Sequence, residues 1–194
     1  MSTATEQSGK PSMNILQRPR VQLGAVIALA VAAALIAGAI ARERNNRSTA
    51  STAAVSTIGP VAFTAEQLRD ESRALDQAIF WAGPKAGYTY EFTRNASGSI
   101  FVRYLPAGVK VGAVEPHYLI VATYPFRHAL NVLRIAAGKR GVPIPGNGLA
   151  LVHDQYPQSV HIAFPNTDYQ VEVYDPSPAR SLAVARSGNV TPVK

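Results

Sequence analysis

Between Val21 and Ala41 the chain runs for 21 residues without a charged side chain, VQLGAVIALAVAAALIAGAIA, with Arg18 and Arg20 just before it and Arg42 directly after. At the usual helical rise such a segment is about 31 Å long, close to the ~30 Å hydrocarbon core of a bilayer. An amphipathic helix of a globular fold repeats polar residues every third or fourth position, and here only Gln22 interrupts the run, at its edge. The segment reads as a transmembrane helix over 21–41. Its nine alanines and the small-x-small triplet Ala39-Ile40-Ala41 leave a second reading open, a signal peptide cleaved after Ala41. Both readings export the C-terminal part of the chain.

The charge distribution agrees with a membrane-flanking role. The formal net charge is +7. Residues 1–59 carry six basic and two acidic groups, whereas residues 60–194 carry 13 basic and 10 acidic ones scattered among each other, which points away from nucleic acid as a partner. Lys10, Arg18 and Arg20 on one side of the run are balanced by Arg42, Arg44 and Arg47 on the other, so the positive-inside rule gives a tie. Long domains after a first helix translocate largely regardless of charge, and the expected topology is single-pass in the cell membrane, N-terminus cytoplasmic and C-terminal domain extracytoplasmic. The spacing Ala30, Ala34, Gly38 offers a small-residue face on which two such helices can pack, which makes a homo-oligomer compatible with the sequence without implying one.

Residues 1–20 read as a disordered tail, and 42–60, rich in Ser, Thr, Ala and Asn, as a flexible linker. A domain is expected over 61–187, with a loose tail at 188–194. It opens with Thr64 and Gln67 in capping-box spacing and a helix over about 65–82, its apolar stripe Leu68, Leu75, Ile79, stopped by Gly83-Pro84. A hairpin comes next over 88–105, where the loop Ala96-Ser97-Gly98 sets Phe92 opposite Val102, Tyr90 opposite Tyr104, and Glu91 opposite Arg103 on the other face. A strand at 118–123, a helix over 125–137 opened by Pro125, a loop at 141–148, and strands at 149–153, 159–164, 169–174 and 181–186 complete the pattern. The expected fold class is α+β, a compact and mostly antiparallel sheet with one or two packed helices.

Chemistry is sparse. The chain has no cysteine, no G-x-S-x-G, no S-x-x-K, no Walker sequence and no H-E-x-x-H. Gly146-Asn147-Gly148 begins like a dinucleotide loop but lacks the third glycine. The constellation worth weighing is His153, His161 and Asp154: with His153 opposite Ser159, both imidazoles leave one sheet face, and a carboxylate nearby would suit a weak metal site or an acid–base pair. Trp81, Tyr88, Tyr156, Tyr169 and Tyr174, near loops and strand ends, are candidates for a ligand-binding surface. No cofactor is implied. The leading expectation is a membrane-anchored, non-catalytic binding module whose partners are the lipid bilayer and an envelope component or another membrane protein. An anchored or secreted hydrolase using the His/Asp group is one alternative, and a structural subunit self-associating through its membrane helix is another.

Overall fold

A computed structural model describes residues 57–115 and 117–193. The 21–41 segment, the tail before it, the packing triplet Ala30, Ala34, Gly38 and most of the 42–60 linker lie outside the described residues. Among those described, no helix is long and apolar enough to cross a membrane.

The described part is an α+β fold built on one eight-stranded, wholly antiparallel sheet. Its elements are β1 (Ile58–Phe63), α1 (Ala65–Ala74), β2 (Phe80–Trp81), β3 (Tyr88–Arg94), β4 (Ile100–Pro106), β5 (Ile120–Pro125), α2 (Ala129–Ala137), β6 (Val142–Ile144), β7 (Gly148–Val152), β8 (Ser159–Ala163), β9 (Tyr169–Tyr174), α3 (Pro178–Arg186) and β10 (Thr191–Pro192). The strand order is β1-β3-β4-β5-β9-β8-β7-β6, and β2 pairs with β10 in a separate small ribbon. The chain leaves β5 through α2, starts again at the far edge with β6, and returns strand by strand until β9 lies beside β5.

The hairpin forms in the expected register, with Tyr90 against Tyr104, Phe92 against Val102 and Glu91 against Arg103. Gly98 takes φ +79°, the left-handed conformation that this three-residue loop demands of one position, and the Asn95 side chain gathers the backbone N–H groups of Ser97 and Ser99. The capping box is present in both directions, Gln67 N–H to Thr64 Oγ1 at 3.1 Å and Thr64 N–H to Gln67 Oε1 at 2.7 Å.

Several elements differ from the sequence expectation, each for a physical reason. The helix expected over 65–82 ends at Ala74, because Asp76 turns left-handed at φ +45° and Gln77 turns away to donate to the Gly98 carbonyl at 2.7 Å. Ile79, Phe80 and Trp81 are then buried consecutively, as in an enclosed strand rather than a helical stripe. Pro125 closes β5 opposite Tyr169 instead of opening a helix, and α2 starts only after His128. The stretch Ser181–Arg186, expected as a strand, lies in α3: Pro178 occupies the first turn, and Ser181 and Ala185, one turn apart, are the buried pair. Gly146-Asn147-Gly148 is the turn between β6 and β7, and a Cβ on Gly148 would meet the Phe164 ring at 2.8 Å. Residues 58–60, expected in the linker, belong to edge strand β1, where Gly59-Pro60 interrupts the ladder to β3. The expected loose tail is tied down, with Val190 and Val193 buried and Val193 N–H bonded to the Ile79 carbonyl at 2.8 Å.

The sheet has two differently treated faces. One carries Tyr90, Phe92, Ile100, Val102, Tyr104, Val121, Val160, Ile162, Val171 and Val173, and together with α1, the β2/β10 ribbon and α3 it forms the main core. On the other, α2 lays Ala129, Leu130, Leu133 and Ala137 over Leu151 and Ala163. Beyond that helix the second face holds most of the buried charged groups, together with Phe101 edge-on to Tyr124 at 5.9 Å and Ala122 beside Glu172.

Candidate functional site

Side chains alternate along a strand, so β9 sends Val171 and Val173 to the main core and Gln170, Glu172 and Tyr174 to the second face. Antiparallel pairing then sets Glu172 beside His161 of β8 and beside Ala122 of β5, with Gln170 between Ala163 and Tyr124. Two diagonals cross this grid. The Tyr124 hydroxyl donates to Glu172 Oε2 at 2.8 Å, and the Gln170 amide meets His161 Nδ1 at 2.9 Å. Both reach across the diagonal spacing of about 7–8 Å that long side chains can bridge in an antiparallel sheet.

His153 extends the row. Its backbone N–H bonds to the Ser159 carbonyl at 3.1 Å, the pairing that places it on the same face as His161, and the two rings lie 6.0 Å apart. Its Nδ1 accepts from the backbone N–H groups of Gln155 at 3.2 Å and Tyr156 at 3.1 Å, while the Tyr156 ring packs against it at 5.1 Å. With Nδ1 engaged as an acceptor, the remaining ring position is Nε2–H, a donor. Asp154, the third member of the expected group, instead turns to the Arg140 guanidinium at the end of α2, where it is largely exposed. The structure thus brings the two imidazoles together and takes the carboxylate elsewhere. Among the described residues, no three His, Cys, Asp or Glu side chains converge closely enough to hold a metal ion.

Electrostatics follow from burial. His161 is 2% exposed, and its Nε2 has no hydrogen-bond partner among the described residues. Burial holds its pKa below the usual imidazole range, Glu172 pulls the other way, and His153 adds to the lowering. Burial and the neighbouring Glu172 carboxylate push the Tyr124 phenol far above its ordinary value. The phenol is therefore fixed as a donor, and the polar groups of the row are spent largely on one another.

Further along the same face Glu91 and Arg103 form a buried pair at 2.7 Å. The segment between β4 and β5 closes over it: Gly112 N–H reaches the same carboxylate oxygen at 2.6 Å, and Arg103 Nη1 donates to the Ala113 carbonyl at 2.5 Å. Sequence reasoning places this pair on the face away from the core and does not foresee its cover.

The aromatic candidates do not gather on one surface. Trp81 is 5% exposed and meets Tyr90 edge-on at 5.7 Å, and Tyr169 packs on Phe80 at 6.3 Å, so both close the main core. Tyr88 is half-buried beneath the Lys85 ammonium, 4.0 Å from its ring centroid. Tyr156 covers His153, and Tyr174 ends β9 with its phenol pushed up by burial and by Asp175. The residues that sequence reasoning missed are Tyr124, Gln170 and Glu172. For Gln170 and Glu172 the signal was available: polar side chains at period two in a segment whose intervening residues are Val171 and Val173 mark a strand with a second face to serve. No family model, no curated protein and no solved structure matches this chain, and the site is read from its own geometry.

Proposed function

We propose that this chain is a single-pass membrane-anchored protein that presents a non-catalytic binding domain outside the cytoplasm. The observation that carries the reading is the uninterrupted uncharged run from Val21 to Ala41, of bilayer-spanning length and bracketed by arginines. The geometry of the polar row supports the non-catalytic half. Glu172 is engaged by Tyr124, His161 Nδ1 by Gln170, and His153 Nδ1 by two backbone N–H groups, which leaves the imidazole Nε2 atoms as the groups a base or metal ligand could use, and that of His161 is buried away from solvent. A hydrolase built on His153, His161 and Asp154 has less support, since Asp154 would have to leave Arg140 to serve it. The partner under this reading is the bilayer together with an envelope component or another membrane protein.

The test is protease accessibility of residues 60–194 in intact cells or spheroplasts, combined with fractionation and the mass of the mature chain. Digestion from outside, with the intact chain in the membrane fraction, is the expected result. Digestion only after lysis overturns the topology, and a soluble chain retaining its first residue overturns the anchor.

A further inference from the structure

The sequence from 116 to 153 contains Arg127, Arg134, Lys139 and Arg140 and no acidic residue, whereas the rest of 60–194 holds nine basic and ten acidic groups. The fold concentrates this acid-free stretch around α2. Leu130, Leu133 and Ala137 face the sheet, Asn131, Arg134, Ile135 and Ala136 face outward, and Lys139 is exposed in the single 3-10 turn, Gly138–Arg140, that follows the helix. Ile135 is 84% exposed, the most exposed of the large apolar side chains described. Arg140 is neutralised by Asp154, but Arg127, Arg134 and Lys139 make no ion pair among the described residues.

Beside the start of α2 lies a groove of about 510 Å³, lined in part by His128, Asn131, Arg134, Asn166 and Asp168. The Asp168 carboxylate there accepts from the His128 backbone N–H at 3.0 Å and keeps its charge, so the groove itself holds one anion along with Arg134, and the net positive charge of this surface comes from Arg127 and Lys139. The α2 surface therefore combines unpaired cations, amide side chains and an exposed isoleucine. A nucleic-acid backbone has no use for the isoleucine. The boundary between headgroups and acyl chains accommodates all of these groups.

We propose that the outer face of α2, with the adjoining groove, docks on the acidic phospholipid headgroups of the membrane that anchors the chain. This rests on the anchor reading above, which supplies the occupant by proximity. The sixteen residues 42–57 between the apolar run and β1 extend to at most about 55 Å. The six strand intervals from β1 to β7, over which α2 packs, span only about 29 Å. The sequence therefore provides enough chain for this face to reach the bilayer even from the far edge of the sheet.

The chain has no cysteine, which makes a single introduced thiol a clean probe. Full-length Ala136→Cys is incorporated in nanodiscs of phosphatidylcholine alone or with phosphatidylglycerol added, and its labelling by a water-soluble maleimide is timed. Surface attraction is worth roughly fivefold per basic side chain, so with three unpaired cations set against the one groove anion at least about tenfold slower labelling is expected in the acidic discs. The protection should vanish in high salt and in the Arg134→Glu/Lys139→Glu background, while Ala183→Cys on α3 labels equally in both discs. Equal labelling at position 136 in the two lipids overturns the proposal. So does protection that depends on protein concentration in neutral lipid, or that appears only when duplex DNA is added. Failure of the chain to enter discs at all removes the anchor reading, and this proposal with it, and is seen separately as protein left free of lipid.

Discussion

The two faces of the central sheet are stabilised by different physics. The main-core face is apolar almost throughout, covered by three separate elements, and even its tyrosines work as pins: Tyr104 accepts from Ala82 N–H at 2.7 Å and donates to the Gly83 carbonyl, and Tyr90 accepts from Lys85 N–H at 2.8 Å. The other face has one helix over part of it, and elsewhere it buries Glu91, His161, Gln170 and Glu172. A face closed by apolar packing draws its stability from area removed from water and is indifferent to pH. A face closed by polar pairs depends on every partner being present and on each group's charge state. The difference implies that damage to the first face costs stability in proportion to volume, whereas damage to the second depends on which partner is left behind.

The largest expected effect lies on the apolar face. Phe92 is fully buried and stacked on Phe63 at 5.1 Å, so Phe92→Ala should cost about 3–5 kcal/mol in urea denaturation. Next comes the polar face. Arg103→Met leaves Glu91 buried with the Gly112 N–H as its remaining partner, at an expected cost of about 3 kcal/mol. Adding Glu91→Leu to that variant should restore much of the loss, because no charge is then stranded. If the double variant is as unstable as the single one, the pair matters through shape, and the contrast between the faces weakens. A smaller effect separates the helices. α1 buries only Leu68 and carries a full capping box, while α2 buries four residues and has no side-chain cap. Thr64→Ala should therefore cost about 1 kcal/mol, whereas His128→Ala at the matching position of α2 removes no capping hydrogen bond.

The same contrast explains how much of the fold was legible in the sequence. Thr64, Gln67 and the Ala96-Ser97-Gly98 loop act within a few residues of themselves, so the start of α1 and the register of β3 with β4 could be read directly. The end of α1 depended on Gln77 reaching the hairpin loop, 21 residues away, and the state of 181–186 depended on Ser181 fitting against the Gln158 carbonyl at 2.6 Å. Alternating Leu-Ala-Val-Ala supports a strand or a helix until such a contact decides. In the candidate site, the shared face of His153 and His161 followed from strand parity. Their burial, and the substitution of Glu172 for Asp154 as the carboxylate beside His161, followed from the placement of β9 next to β8. That placement is a long-range property with no local signature.

The smallest effect at neutral pH is also the sharpest test of the comparison. His161 is buried with an unpartnered Nε2 and its Nδ1 meets the Gln170 amide, so His161→Leu combined with Gln170→Leu removes that pair together and strands neither member, and the stability at pH 7 should change by less than about 1 kcal/mol. The pH dependence should change more visibly. Burial holds the folded-state pKa below the unfolded value of 6.5, with Glu172 opposing and His153 reinforcing the shift. Above 6.5 neither state binds the proton, and His161 contributes no slope. As the pH falls below 6.5 the unfolded chain takes up a proton that the folded chain refuses, so stability is lost progressively until the folded-state pKa is reached. Urea midpoints measured between pH 7 and pH 5 should therefore fall less steeply for the His161→Leu/Gln170→Leu variant than for the parent, while a conservative change on the apolar face such as Val171→Ile leaves the slope untouched. Parallel curves for the parent and the double variant would mean that the Glu172 carboxylate compensates the buried imidazole fully, and that the second face is as insensitive to protons as the first.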